Sequence, residues 1–299
     1  MDILTVSGLK KRFGEKEVLR GLDLSVPSNS IYGFVGRNGA GKTTAMKAIL
    51  GLLRVDEGEI LVNGEKVVFG QTATNRYIGY LPDVPEFYPF MTANEYLRLC
   101  GESLNLESAD IRNRSGALLE LVGLANEKHR IRGFSRGMKQ RLGIAQALLA
   151  RPKLLICDEP TSALDPIGRK EILDILLCAK EQTTVLFSTH ILSDVERICT
   201  DVALLHDGKI AMQGKVDCLK QSARTEAFTV ETDGKAHADK LKRAFNNIKA
   251  CQNDILVFTG GEEDFLSVLR FIADNRISVR KVERAEPSLE SLFMEVVKP

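Results

Sequence analysis

The segment that most constrains the fold of this chain is GRNGAGKTT at Gly36–Thr44. It fits the pattern GxxxxGK[ST], follows an apolar run at Ile31–Val35 and opens a stretch with helical spacing, Gly41–Leu53. A buried strand, a glycine-rich loop and a helix in this order predict a P-loop, in which backbone N–H groups and the helix N-terminus bind phosphate. A purely structural glycine-rich turn is the alternative, and the strand–loop–helix context counts against it.

The residues of this loop have separate expected roles. Lys42 is expected to reach the β- and γ-phosphates of a nucleotide, and Thr43 to bind Mg²⁺ through its hydroxyl. The glycines let backbone N–H groups approach the phosphate oxygens closely. The residues predicted to bind the nucleotide in this loop are Gly36, Asn38, Gly39, Gly41, Lys42, Thr43 and Thr44.

Two adjacent carboxylates, Asp158 and Glu159, follow a second apolar run at Leu154–Cys157. Ligands of open α/β sheets bind at the carboxyl ends of the strands, which places Asp158 beside the phosphates. We expect Asp158 to hold Mg²⁺ through water and Glu159 to polarise an attacking water. Two solvated acids at a strand end are the alternative, which the P-loop weakens. His190 follows a neighbouring apolar strand, and although a lone histidine is usually structural, this one is in reach of a γ-phosphate.

The segment Phe134–Arg141, FSRGMKQR, precedes a helical run at Leu142–Leu149. Ser135 is a good N-cap for that helix, because its hydroxyl accepts from backbone donors that have no partner in the first turn. Taken alone, the pattern indicates only a capped helix. It gains weight as a companion of the P-loop.

The order of the remaining patterns predicts an α/β protein with two domains. Strands broken by a charged turn at Lys10–Glu17 come first, a helical insert over about residues 92–148 follows, and strand–helix–strand units then predict a largely parallel sheet. Asp207-Gly208 between two apolar runs predicts a hairpin. We expect residues 1–220 to form the first domain, and residues 221–299 to form a small α+β domain with the order β-α-β-α-β-α.

The composition of the chain limits the kinds of partner that it can bind. Its 41 Lys+Arg residues against 40 Asp+Glu residues give a net charge of +1, which disfavours nucleic-acid binding. The 6 cysteines show neither metal-ligand nor disulfide spacing. No apolar stretch reaches the roughly 18–20 residues of a membrane span, and the N-terminus lacks the pattern of a signal peptide. The sequence therefore predicts a cytoplasmic protein that needs a partner for any role at a membrane.

In their order and spacing, these motifs resemble the ATP-binding cassette (ABC) family of ATPases over about residues 1–215. The resemblance implies a P-loop NTPase fold with a helical subdomain, and ATP and Mg²⁺ as its ligands. It also implies a sandwich of two subunits, in which Ser135 and Gly137 of one close over phosphates held by Lys42 of the other. Glu159 matches the general base of the family, and His190 matches its γ-phosphate sensor.

Three further expectations come from the same resemblance. Phe13 looks like the aromatic residue that stacks on adenine, with an ordinary core or surface phenylalanine as the alternative. Asp165 belongs to the turn that crosses the interface between the two subunits. The C-terminal segment, with Glu286–Phe293 near its end, resembles the accessory domain of some drug- and antibiotic-exporter ATPases.

The sequence departs from the family pattern at two places. Asp83 stands where the family usually carries glutamine; its carboxylate can still meet Mg²⁺ or water, but it lacks the donor of an amide. Arg136 and Met138 replace the glycine and glutamine of the commonest signature, while Ser135 and Gly137 remain and are expected to keep the γ-phosphate contact. The predicted metal ligands are Thr43, Asp83 and Asp158, and Asp83 also counts among the nucleotide-binding residues.

The resemblance implies the ATP-hydrolysing subunit of an ABC transporter. It is expected to act as a homodimer with a separate membrane permease, on the cytoplasmic face of the membrane, with export favoured and no nucleic acid bound. The loop Pro82–Met91, rich in proline and aromatic residues, is a candidate contact with the permease. One alternative is a soluble ABC-type ATPase acting on the ribosome or on nucleic acid, which the single P-loop and the neutral charge disfavour. A P-loop kinase is the other, and it leaves Ser135–Gln140, Asp165 and His190 without roles.

Overall fold

A computed structural model of the chain describes residues 1–222, 227–252, 254–284 and 288–296. Part of the predicted motif at Glu286–Phe293 therefore lies outside the described residues. The chain separates into two compact units, Met1–Val216 and Asp217–Glu295. The domain boundary predicted at residue 220 falls four residues beyond the division between these units.

The first unit contains two sheets built from ten strands. They are β1 (Asp2–Phe13), β2 (Lys16–Pro27), β3 (Ile31–Gly36), β4 (Glu57–Val62), β5 (Glu65–Lys66), β6 (Ile78–Leu81), β7 (Leu154–Asp158), β8 (Thr184–Thr189), β9 (Asp201–His206) and β10 (Lys209–Lys215). The larger sheet has the order β10-β9-β3-β8-β7-β6 and is parallel except for β10. Every residue of β3, β7 and β8 is buried, as expected for parallel strands covered on both faces.

The smaller sheet, with the order β2-β1-β4-β5, is antiparallel and corrects one prediction. We expected a charged turn at Lys10–Glu17, but β1 and β2 run through this segment as a hairpin and leave only Gly14-Glu15 between them. A cross-strand ion pair engages one of these charges, since Lys10 Nζ lies 2.7 Å from Glu57 Oε2 on β4. The hairpin predicted at Asp207-Gly208 is confirmed, with both residues at positive φ between β9 and β10.

Seven helices accompany these strands in the first unit. They are α1 (Lys42–Ile49), α2 (Ala93–Ser103), α3 (Ser108–Leu121), α4 (Arg136–Leu148), α5 (Pro166–Ala179), α6 (Leu192–Ile198) and α7 (Val216–Ser222), the last of which crosses the division between the units. Helices α2, α3 and α4 lie in the predicted helical insert. Helix α4 packs tightly against β6. Only glycine fits at Gly79 of β6, since a Cβ there would lie 2.2 Å from the carbonyl oxygen of Ala147 in α4.

The second unit is a βαββαβ domain followed by a helix. Its elements are β11 (Ala227–Thr232), α8 (Lys235–Ala244), β12 (Ile248–Gln252), β13 (Ile255–Thr259), α9 (Glu262–Asp274), β14 (Val279–Arg284) and α10 (Leu289–Val296). The sheet order β12-β13-β11-β14, with every pairing antiparallel, is that of the ferredoxin-like motif. Phe228 and Phe258 stack at 4.9 Å between ring centroids in its core.

The strand β12 was absent from the order β-α-β-α-β-α that the sequence predicted for this domain. Helix α8 ends at Ala244, and the Asn246-Asn247 pair that follows favours a turn. Strand β12 has little β-branched or aromatic character of its own, and it is stabilised by pairing with β13. Among the helices that the structure describes, none is both long and apolar enough to cross a membrane.

Candidate nucleotide site

The P-loop joins β3 to α1 and presents backbone donors to one exposed point. Gly41 caps α1 with a φ of 110°, which glycine adopts readily, and a Cβ there would lie 3.0 Å from Leu19 Cδ2. A Cβ on Gly36 would lie 2.8 Å from the carbonyl oxygen of Leu205. Residues 37–39 are exposed, and the first N–H groups of α1 have no partner within the helix. This arrangement is that of an anion site.

Lys42 begins α1 and is buried, with only 5% of its surface exposed. Its Nζ donates to the carbonyl oxygen of Gly36 over 2.7 Å and to that of Arg37 over 3.3 Å. The same Nζ lies 3.0 Å from Glu159 Oε1, an ion pair whose angle is not that of a hydrogen bond. A buried ammonium group needs such partners, and a phosphate would replace them with a stronger one.

Asp158, the last residue of β7, connects the end of its own strand with β8 and with the start of α1. Thr43 Oγ1 donates to Asp158 Oδ2 over 2.8 Å, and Ser188 Oγ donates to Asp158 Oδ1 over 2.6 Å. Ser188 Oγ also accepts from the backbone N–H of Glu159 over 2.9 Å. Asp158 is 3% exposed, so its position is fixed by buried hydrogen bonds.

Glu159 turns away from Asp158 and meets a histidine. Its φ of 49° is rare for a residue other than glycine, and it directs the carboxylate between Lys42 and His190. His190 Nδ1 lies 2.9 Å from Glu159 Oε2, with Nδ1–H as the donor because an ionised carboxylate only accepts. Lys42, Glu159 and His190 therefore form a continuous chain of contacts at the ends of β3, β7 and β8.

The oxygens of Thr43 and Asp158 fit a magnesium site. A threonine hydroxyl and an aspartate carboxylate 2.8 Å apart are the protein oxygens that Mg²⁺ takes in P-loop NTPases. In the ranges that the structure describes, no three acidic, histidine or cysteine side chains converge into a metal cluster. The remaining ligands would therefore come from nucleotide phosphates and water, as is usual for Mg²⁺.

Asp83, the third predicted metal ligand, contacts the signature segment. Arg136 Nη2 donates to Asp83 Oδ1 over 3.3 Å, and the buried Gln140 Nε2 donates to the backbone oxygen of Asp83 over 2.6 Å. Burial raises the pKa of Asp83; Arg136 opposes this shift, and the charges of Asp158 and Glu159 add to it. Two of the three positions that depart from the family pattern, Asp83 and Arg136, thus pair with each other.

Ser135 is exposed and Gly137 is half-buried at the start of α4. Ser135 caps the helix, its Oγ accepting from the N–H of Met138 over 3.2 Å. A Cβ on Gly137 would have no neighbour closer than 3.9 Å, at Leu164 Cδ2. Among the hydrogen bonds of the described residues, none joins Ser135 or Gly137 to the P-loop of the same chain. The start of α4 therefore has room around Gly137 for a further contact.

Two other predicted residues stand at exposed ends of elements. Phe13 is 50% exposed at the end of the β1–β2 hairpin, and Val18 of the same hairpin adjoins Gly41 of the P-loop. Asp165 caps α5, with its Oδ1 accepting from the N–H of Gly168 over 3.0 Å. These are the residues for which the family resemblance implies contact with adenine and contact across a subunit interface.

Comparison with known proteins decides the family. A family model described as "ABC transporter" matches residues 19–162, and one described as "ATP-binding protein DrrA1-3-like, C-terminal domain" matches residues 214–297. The chain is 37% identical over 302 residues to the uncharacterized ABC transporter ATP-binding protein YxlF of Bacillus subtilis (strain 168), with 99% of each chain covered. This chain belongs to the ABC transporter ATP-binding proteins.

Two further matches agree with the family. The bacitracin transport ATP-binding protein BcrA of Bacillus licheniformis is 34% identical over 314 residues, covering 99% of this chain and 97% of BcrA. A solved structure of the ATP-binding subunit of an ABC transporter matches with a TM-score of 0.65 at 32% identity, covering 74% of this chain and 92% of that chain. The ABC-type P-loop fold and the ATPase function coupled to transport, both predicted from the sequence, are confirmed, and the ribosomal or nucleic-acid alternative is not favoured.

Sequence reasoning did not single out two hydroxyl residues beside the carboxylates. Ser188 bonds Asp158 and the amide of Glu159, while Thr161 follows Glu159 by two residues and is fully buried. The register of β7 and β8, which pairs Asp158 with Ser188, is the signal that would have found the first. That register becomes readable only once the order of strands in the sheet is known.

Proposed function

We propose that this ABC protein hydrolyses ATP with Glu159 as the general base, and that it drives export through a separate membrane permease. The observation that carries the proposal is the chain of contacts from Lys42 through Glu159 to His190, beside the Thr43–Asp158 pair. These groups lie at the ends of adjacent strands. A bound phosphate, a water and a base would therefore meet at one point.

The contacts suggest how the residues would act. Phosphates on the P-loop would take the charge of Lys42, which leaves Glu159 able to accept a proton from water. The water oxygen bonds to the γ-phosphorus as the bond to the leaving ADP oxygen breaks, and Lys42 stabilises the charge that develops. His190 orients Glu159 through Nδ1 and keeps Nε2 for the γ-phosphate. Mg²⁺ held by Thr43 and Asp158 would supply further charge neutralisation.

The other half of the nucleotide site would come from a second copy of the chain. Ser135, Gly137 and Asp165 are at least partly exposed, and the first two have no described hydrogen bond to their own P-loop. Two copies facing each other would place Ser135 and Gly137 of one over the γ-phosphate of the other. Phe13, half exposed beside the P-loop, would stack on adenine.

The loop Pro82–Met91 is the proposed contact with the permease. Val84, Tyr88 and Phe90 are 63%, 53% and 58% exposed, whereas Phe87 packs edge-on against Tyr96 at 5.0 Å between centroids. Exposed apolar side chains grouped on one loop are typical of a protein contact. ABC ATP-binding subunits work with permeases, so this loop would hold the chain to the cytoplasmic face of the membrane. The similarity to a bacitracin transport protein favours export.

The test is affinity capture of the full-length chain from detergent-solubilised native membranes, with and without ATP. We expect a polytopic membrane protein to be captured in an ATP-sensitive way. Val84→Asp should abolish that capture, while Leu52→Asp, an equally exposed apolar position (62%) outside the loop, should leave it intact. Capture of ribosomal or DNA-associated proteins instead would contradict the transport assignment.

A further inference from the structure

Asp194 is a buried carboxylate that lies outside the nucleotide site described above. It stands in the first turn of α6, four residues after His190, and only 3% of its surface is exposed. Burying a carboxylate is costly unless it is paired and hydrogen-bonded. Asp194 has two such partners, and they come from two different segments around Glu159.

The first partner is Thr161, in the turn that follows Glu159. Thr161 Oγ1 donates to Asp194 Oδ2 over 2.8 Å, and both residues are buried. The turn is an unusual one, since Glu159 and Ala163 have φ values of 49° and 53°. Residues other than glycine hold such conformations only where the surroundings fix them. The Thr161 hydroxyl therefore anchors the turn that aims the Glu159 carboxylate.

The second partner is Arg169, in the first turn of α5. Arg169 Nη2 donates to Asp194 Oδ1 over 2.6 Å, and the backbone N–H of Arg169 donates to the carbonyl oxygen of Asp165 over 2.9 Å. A charge-assisted bond of this length is among the stronger side-chain contacts. One carboxylate thus holds the start of α5, capped by Asp165, as well as the turn after Glu159.

We propose that Asp194 is a positioning residue for ATP hydrolysis. Through Thr161 and Arg169 it fixes the turn after Glu159 and the start of α5 against α6, the helix that follows His190. It thereby sets the 2.9 Å contact between Glu159 and His190, on which orientation of the base depends. This inference rests on the proposed roles of Glu159 and His190. Among the described hydrogen bonds and ion pairs, those of the Asp194 carboxylate go to Thr161 and Arg169 and to no predicted nucleotide-binding residue.

A positioning role for Asp194 affects the rate of hydrolysis and leaves nucleotide binding unchanged. A misplacement of about 1 Å at a catalytic group costs on the order of 100-fold in rate, whereas Lys42 and the P-loop glycines make no contact with Thr161 or Asp194 among the described hydrogen bonds. We expect Thr161→Val, which keeps the shape and removes the donor, to lower kcat by roughly 10- to 100-fold. The KM for ATP and the affinity for ADP should stay at their native values.

Conservative rescue distinguishes positioning from general packing. Thr161→Ser restores the hydroxyl and should recover most of the native kcat in the full-length chain. Thr232→Val removes another fully buried threonine hydroxyl, in the second unit, and should leave kcat unchanged. If Thr161→Val does not fold, Arg169→Gln tests the second contact of Asp194, with the same expected fall in kcat at constant KM.

Three results would overturn the positioning role. The first is a kcat of Thr161→Val equal to that of the native chain. The second is an equal loss of kcat in Thr161→Val and Thr161→Ser. The third is a loss of ADP affinity in Thr161→Val as large as its loss of kcat. Failure of the proposed function looks different. If Glu159 is not the general base, Glu159→Gln would hydrolyse ATP at the native rate whatever residue stands at position 161.

Discussion

The phosphate-binding half of the nucleotide site and the signature half are held by different kinds of contact. Lys42 and Asp158 are 5% and 3% exposed, and each makes at least two short contacts with neighbouring segments. In the signature half, Ser135 is exposed, and the Asp83–Arg136 contact joins two side chains that are each nearly half exposed. The phosphate-binding half is thus held by contacts within the chain, while the signature half is open and, in the proposed dimer, would meet the nucleotide of a second copy.

The largest effect is expected at Glu159, in the phosphate-binding half, which is the buried half of the site. Glu159→Gln removes the proposed base and should lower kcat by about 10²- to 10⁴-fold. ATP binding should persist, since the P-loop is unchanged and Lys42 loses a competing carboxylate. Steady-state hydrolysis together with equilibrium binding of ATP measures both effects.

Glu181→Gln, an exposed glutamate after α5, is the matched control and should behave as the native chain. Native turnover in Glu159→Gln would show that Glu159 is not the general base. It would also remove the distinction between a buried half that performs the chemistry and an open half that completes it.

In the signature half, which is the open half of the site, Ser135→Ala should lower ATP hydrolysis only when two copies pair. Loss of a hydrogen bond to a charged phosphate is worth about 1.5–3 kcal/mol, which lowers hydrolysis by roughly 10- to 100-fold. Affinity for ADP in the single chain should not change. The variant also loses a helix cap, so Thr92→Ala, which removes the capping hydroxyl of α2, is the control for stability alone. A loss of ADP affinity in Ser135→Ala would place the serine in its own subunit's site.

The sequence was sufficient to point to the main residues of the buried half because each of its two motifs is a short, continuous segment. A strand, a loop and a helix in succession predicted the P-loop, and a strand ending in two carboxylates predicted Asp158 and Glu159. The contacts that depend on sheet order were out of reach. Ser188 was missed because its partner Asp158 lies 30 residues away on a neighbouring strand. Strand β12 was missed because it is formed by pairing rather than by its own residues.

Ser188→Ala should have a smaller effect on the buried half, and chiefly on stability. The change removes a donor to a buried carboxylate and leaves the N–H of Glu159 without its partner. Unpaired buried polar groups cost about 1–3 kcal/mol each, so the thermal midpoint should fall by several degrees. Thermal unfolding at pH 7 measures it. An unchanged midpoint would mean that the buried half is not held by this hydroxyl.

The smallest effect on stability is expected at Asp83, and it tests whether the Asp83–Arg136 contact stabilises the signature half. Burial raises the pKa of Asp83 in spite of Arg136, so the folded chain binds a proton at this carboxyl more readily than the unfolded chain does. Stability then falls as pH rises from the ordinary aspartate pKa through the raised one. Asp83→Asn removes this cost. The variant should be slightly more stable than the native chain at pH 7, and equal to it below about pH 4.

Asp56 provides a control of opposite sign for that comparison. The backbone N–H of Arg12 and the ammonium of Lys11 hold the pKa of Asp56 below its ordinary value. Its ionised form therefore stabilises the fold, and that contribution is lost as pH falls through the lowered pKa. Asp56→Asn should be less stable than the native chain at pH 7 and approach it in acid. If Asp83→Asn followed the Asp56 pattern in thermal midpoints between pH 4 and pH 7.5, the Asp83–Arg136 pair would be a stabilising clamp, and the signature half would be as firmly held as the P-loop.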